Sequence, residues 1–355
     1  MNKNRLSNFT LLLAVSAVLA ACGGNGGGES ASPVGGSTSV GVGAGTPTLV
    51  VGASSIVTTV PLPTYAPGSE ELIAYNLLNN SRIGCGFGAL AQDPALDVAA
   101  KGHANYLLSD TAAFHVQNPT SLAFTGQTVN DRFIAAGYGQ RGTFNSSENV
   151  GIAVDKTSSG YGEKMGYQLL NAPYHLNSMM NGFRDVGTAI VVGRSQNDFP
   201  SIKRLVFTLG HKRDVGHQNL SSDEVKTFPC EGTVGTNIKL IGEEPNPVPG
   251  RDLSSAPIGM SIYVGVAKGN TVEIKTVNVV NAVTNTVEKI GGVTTRLTDP
   301  NGQGPDKYLE SHQAVIFTDK PAATNSKYLV EMTGTNSGKQ FTRKFSFTTG
   351  SGGDR

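Results

Sequence analysis

The sequence predicts an α+β protein, a mixed helix-and-strand domain followed by an all-β sandwich. Three observations carry this. Residues 69–210 alternate helical and strand signals; a proline-rich run, Gly242-Glu243-Glu244-Pro245-Asn246-Pro247-Val248-Pro249-Gly250, interrupts them; beyond it helical periodicity vanishes and short alternating runs sit between Gly, Asn and Pro turns. Glycine is 45 of 355 residues, nearly twice the usual share, and Trp is absent, a bias toward turns and flexible connections. Formal charge is +1, from 28 Lys+Arg against 27 Asp+Glu, so no basic field exists to draw nucleic acid and that class of partner is excluded.

The chain opens with Lys3 and Arg5 before an apolar stretch, Phe9 to Ala21, which is too short to span ~30 Å of hydrocarbon and reads as a secretion signal over residues 1–21. Its end, Leu19-Ala20-Ala21-Cys22, resembles the lipobox of bacterial lipoproteins. That resemblance implies cleavage before Cys22, a diacylglycerol on its thiol, and a membrane as partner. The alternative is an ordinary signal peptide that leaves Cys22 as a free thiol. Gly23 in place of Asp favours the outer membrane, by the habit of Gram-negative lipoproteins. Residues 22–67 are Gly, Ser, Ala, Thr, Val and Pro with almost no charge, a disordered tether reaching about 35–40 Å.

Within residues 68–230, Ser69-Glu70-Glu71 opens a helix through about Arg82, with a Ser cap and acids in the first turn. Asp93-Pro94 opens a second, whose Leu96, Ala99, Ala100, His103, Ala104 and Leu107 share one face. A third runs from about Thr128 to Ala136 and stops at Gly137, a fourth from Gly162 to Leu170, and Pro173 begins a short fifth through Met180. Strand-like runs fall at Asn149 to Val154, Val186 to Val192 and Leu205 to Leu209. Residues 231–250 read as a semi-rigid spacer. In residues 251–350 strands are expected at Met260 to Val266, Thr271 to Val280, Val293 to Leu297, Ala314 to Thr318, Tyr328 to Thr333 and Phe341 to Phe347.

The order of short words in the first domain is specific. Asn79-Asn80-Ser81-Arg82, Asp93-Pro94, His103-Ala104, Phe114-His115, Arg132 with Ala136-Gly137-Tyr138, Glu148-Asn149-Val150, Pro173-Tyr174-His175 and Val186-Gly187 together resemble the bacterial branch of the CAP superfamily, the cysteine-rich secretory, antigen 5 and pathogenesis-related proteins. The resemblance implies an α-β-α sandwich with a cleft gathering two His and two acids. It assigns His115, Glu148 and His175 to three of those places, whereas the fourth does not carry over: Leu169 stands for the family's Trp and Ala172 for the acid that follows it. Two imidazoles and a carboxylate suffice for a weak divalent metal site, zinc first, with one position open. The competing reading is a hydrogen-bonded polar network in which Glu148 orients one or both histidines.

Other candidates are weaker. His103 lies on an apolar helix face and reads as a satisfied core histidine; Ser146 and Ser147 lack a nucleophile elbow; His211 and His217 read as exposed loop residues. Cys85 and Cys230 are the pair left in an exported chain, and an oxidising compartment permits a bridge around a loop of about 145 residues. Two unpaired thiols are the other reading. The last hairpin, Asn325 through Gly338-Lys339 to Gly350, resembles those of bacterial Ig-like domains of surface proteins. Three functions follow as expectations: binding of a lipid, small amphiphile or cell-wall component at the His/Glu cleft; a His/Glu hydrolase, with or without metal, of envelope or peptide substrates; or adhesion to a surface-protein partner through the Ig-like part. The missing second acid weighs against the enzyme.

Overall fold

The computed structural model describes residues 20–21, 54–110, 114–193, 201–295 and 306–351. Cys22 and residues 1–19 of the expected signal lie outside them. Ala20–Ala21 (β1) is followed by α1 (Glu70–Cys85), β2 (Ala91–Gln92), α2 (Pro94–Ser109), α3 (Val129–Ala135), β3 (Phe144–Asp155), α4 (Tyr161–Leu169), α5 (Pro173–Met180), β4 (Asp185–Val192) and β5 (Ser201–Lys212).

Local chemistry fixes these helix ends. Ser69 Oγ accepts from Leu72 N–H at the start of α1, which closes at Gly86 in the left-handed region, φ 79°. Asp93 caps α2 through the Ala95 and Leu96 N–H groups, with Pro94 at the first helical position. Thr128 and Asp131 cap each other's backbone at α3. The strands form one sheet in the order β1-β3-β5-β4-β2, antiparallel except for β2 on β4.

Alternation along β3 and β5 splits the side chains between two helical layers. Val150 and Val206 pack on Ala100, Ala104 and Leu107 of α2. Ala153, Leu205, Phe207 and Leu209 join α1, α4 and α5 on the other face. A Cβ at Gly187 would stand 2.1 Å from the Leu96 backbone, so only glycine lets α2 lie this close to β4. The result is the expected α-β-α sandwich.

The second part begins earlier than expected. β6 (Val225–Phe228) and β7 (Thr233–Thr236) precede β8 (Ser261–Val266), β9 (Val272–Asn281), β10 (Thr286–Val287), β11 (Ile290–Thr295), β12 (Gln313–Thr318), β13 (Lys327–Asn336) and β14 (Lys339–Thr349). They make two sheets, β10-β9-β13-β14-β7 and β11-β12-β8-β6. Residues 231–250 are therefore not a spacer. β7 pairs parallel with β14, Leu240 bridges to Ile258, and Glu243 is buried.

The joint between the two parts is a shared core. β8 and β12 are buried at all six positions, the pattern of a sheet covered on both faces. Ile262, Val264, Ala314 and Ile316 meet Tyr328, Val330 and Phe347 of the facing sheet. Tyr263, Val315 and Phe317 turn the other way and pack with Leu170, Leu176 and Met179. The end of the expected tether is also seated. Val57 N–H donates to Gln218 Oε1 at 2.7 Å, and Tyr65 OH donates to Asp97 Oδ1 at 2.5 Å, so the tether's folded end starts by residue 54. Tyr65 is a large amphipathic side chain in an otherwise small-residue stretch, and its ring packs 5.5 Å from Tyr75. Cys85 and Cys230 are bridged, with Cα atoms 5.5 Å apart, tying the end of α1 to the segment between β6 and β7.

Candidate functional site

Glu148 sits in the middle of β3, and the two-residue period decides its neighbours. Ser147 Oγ lies 2.6 Å from Ser178 Oγ of α5, and Asn149 Nδ2 donates to the same hydroxyl at 3.1 Å. Glu148, between them, points to the opposite face, where α2, α3 and the loop between them bring it three partners. Its Oε1 is 2.7 Å from Arg132 Nη2, 3.0 Å from His115 Nδ1 and 3.3 Å from His103 Nε2. All four side chains are buried.

Burial by itself would raise the Glu148 carboxyl, but His103, Arg132 and His115 outweigh it and hold the group far below the usual carboxylate range. His103 is pulled down to about 4, chiefly by burial, with Glu148 opposing and Arg132 assisting. It is a core histidine as expected, and its ring nitrogens face Phe114 O at 2.6 Å and Gln117 Nε2 at 3.0 Å. Arg132 spreads its guanidinium over Gly126 O, His115 O and Glu148. The cluster is an internal ion pair with imidazoles in attendance.

Residues 75–209 match the family model for the cysteine-rich secretory protein family, CAP. The match rests on the domain just described and leaves the second β-rich part outside it. A crystal structure of an extracellular protein containing a SCP domain from Bacillus anthracis str. Ames is similar at 22% identity over 39% of this chain, with a TM-score of 0.27. This chain spans 40% of that protein's chain. No curated protein matches it.

The domain that matches the CAP model keeps two of the three carried-over residues together and parts the third. His175 lies on α5, on the face of the sheet that Ser147 and Asn149 address, so it cannot share a cation with Glu148. Its Nδ1 is instead 3.2 Å from Oε1 of Glu243, a residue from beyond the CAP match. The same oxygen accepts from the N–H groups of Tyr174 and His175 at 2.8 and 3.2 Å, satisfying the first turn of α5. Burial, with Asp306 adding to it, raises the Glu243 carboxyl well above the usual range against the pull of those N–H groups.

The three-ligand metal site is therefore a correction: the residues do not fit it. A cation at Glu148 would face the Arg132 guanidinium, and among the described residues no group of three or more His, Cys, Asp or Glu is placed to hold a metal ion. Leu169 and Ala172, at the family's Trp and acid places, are fully buried core residues.

His211 and His217 are a second correction. His211 ends β5, is 3% exposed, and faces Asn145 Nδ2 at 2.9 Å. His217 is held by Gln218 O at 2.6 Å and Asn181 Oδ1 at 2.8 Å. With His312 of the β-sandwich they form a row of rings, 5.3 and 6.3 Å between centroids, at the seam of the two parts. The loop between them carries Lys212, Arg213 and Asp214, so local polarity gave no sign of this burial; the sandwich that covers them supplies it.

A large open concavity lies elsewhere among the described residues. A groove with about 1130 Å³ of empty volume runs between α1 and α4 and is closed by the bridged segment at Cys230. Ile73, Leu77, Tyr167 and Val234 give it apolar walls, with Asn76 and Glu163 at its polar side.

Proposed function

We propose that this chain is an extracytoplasmic, lipid-anchored binding module whose CAP domain holds a small amphiphile in the groove between α1 and α4. One observation carries the choice of ligand site. The groove is open and joins apolar walls to a polar margin, as a ligand with a hydrocarbon part and a polar head requires, whereas the His/Glu cluster lies on the other face of the sheet, buried against groups of its own chain. Glu148 and His175, which a hydrolase would use, are both buried against internal partners. The reading of the compartment rests on the apolar stretch ending at Cys22, with Gly23 pointing to the outer membrane. Cleavage there would remove β1 and leave the β3 edge open. The β-sandwich, which resembles bacterial Ig-like domains, would present the CAP domain and offer a surface to a protein partner.

The test is displacement of a fluorescent fatty acid from the mature chain. Saturable binding is expected, weakened about tenfold or more by Leu77→Glu, which sets a charge on the apolar wall. Glu148→Gln should leave affinity unchanged in the folded fraction. Absence of saturable binding, or full binding by Leu77→Glu, would overturn the proposal.

A further inference from the structure

A second concavity lies at the seam, between β3 and α5 on one side and the segment leading into β12 on the other. Its empty volume, counted out to the solvent at its mouth, is about 460 Å³. Ser146, Ser147, Asn177 and Ser178 come from the CAP domain, and Lys307, Tyr308 and Glu310 from the sandwich side. Neither part makes this cleft alone.

Its chemistry is specific in three ways. Asn177 is 6% exposed, and its Nδ2 donates to Tyr308 O at 3.3 Å, which fixes the amide's orientation. Asn177 Oδ1 is then a buried acceptor with no partner among the described residues. Such an oxygen demands a donor that the protein does not provide. The same cleft is lined by Ser147 and Ser178, whose hydroxyls lie 2.6 Å apart and, able both to donate and to accept, match the hydroxyls of a polyol. The two charged groups at the rim, Glu310 and Lys307, each have a partner within the protein, so neither an anion nor a cation is selected. Glu310 is already paired with Lys268 at 3.2 Å, and Lys307 sits 5.0 Å over the Tyr308 ring.

We propose that this seam cleft binds a neutral saccharide unit, whose hydroxyl or acetamido N–H groups donate to Asn177 Oδ1 and exchange hydrogen bonds with Ser147 and Ser178. An aliphatic ligand would leave the acceptor unmet. A peptide is the less suited alternative, because the lining is hydroxyl and amide rather than a row of apolar side-chain pockets.

The experiment is saturation-transfer NMR on the full mature chain with triacetylchitotriose, maltotriose and tetra-alanine as separate probes. At least one of the two sugars is expected to receive saturation. Asn177→Leu removes the acceptor, and Lys307→Trp, on an exposed side chain that leaves the core untouched, fills the mouth; each should weaken the response about tenfold or more. Should Asn177→Leu fail to fold, the Lys307→Trp variant decides the matter. No transfer to either sugar, transfer to tetra-alanine alone, or sugar binding unchanged in Lys307→Trp would overturn the proposal, the last two showing respectively a peptide site and a site elsewhere. Fatty-acid displacement at the α1/α4 groove is independent of all these outcomes.

Discussion

Arg132 and Glu148 are both removed from water, and their attraction offsets the desolvation only because His115 and the Gly126 and His115 carbonyls complete the geometry. Arg132→Met leaves Glu148 charged and unmatched at the centre of the domain. We expect a loss of about 3–5 kcal/mol in urea unfolding, the range for breaking a buried pair from one side. Joining Glu148→Leu to it should restore a large part of that loss, and a double variant as unstable as the single one would show that the pair is not the source. The sequence made Glu148 and His115 legible, because each falls in a recognisable word of the CAP pattern. The partner that governs Glu148 was legible only as a letter in that pattern, since Arg132 lies sixteen residues upstream and nothing in the spacing states that a helix carries it to β3. His175 was misplaced for a related reason: alternation along β3 says that residues 147 and 148 face opposite ways, but not on which side α5 packs.

The elements themselves show where periodicity informs and where it stops. Caps at Ser69, Asp93 and Thr128 fixed three helix starts from local chemistry that needs no tertiary partner. β6 and β7 escaped notice because each is four residues long and borrows its stability from a neighbour in the sheet. The start of α5 depends on such a distant neighbour, for its cap residue, Ala172, has no side-chain acceptor. Glu243 takes over that role through the Tyr174 and His175 N–H groups. Burial favours its neutral form, so Glu243→Gln preserves shape, charge state and the accepting oxygen. That variant should melt within a few degrees of the parent, while Glu243→Ala exposes buried donors without a partner and should lose about 1–3 kcal/mol. Equal melting temperatures for Ala and parent in calorimetry would mean that the α5 terminus is satisfied by another group.

At the scale of the molecule, the sheet β11-β12-β8-β6 is a wall with a core on each side, so the α-β-α domain and the sandwich are fused rather than strung. Alternating runs in the sequence identified β8 and β12 as strands but could not tell a half-exposed strand from one covered twice, because the second cover comes from a distant part of the chain, Leu170 to Met179. The histidine row lies along this joint and makes it sensitive to acid. His211 and His312 are pulled down to about 4 and His217 to about 3, in each case chiefly by burial. Lys268 opposes a proton on all three, Arg184 and Arg213 oppose it on His211, and the other two imidazoles oppose it on His217; Glu310 favours it on His211 and His312, and the Gln218 carbonyl favours it on His217. In the unfolded chain the same imidazoles titrate near ~6.5, so between ~6.5 and about 4 the unfolded state binds more protons. Their contribution to stability is therefore complete above pH ~6.5 and declines as pH falls toward 4, with His103 adding to the same slope. Urea midpoints measured from pH 7.5 to 4.5 should fall steadily, and His217→Gln, which retains a side chain able to meet Gln218 O or Asn181, should flatten the decline. A midpoint that stays level to pH 4.5 in the parent would show that these rings take up protons in place, and that the joint has room to admit charge and water.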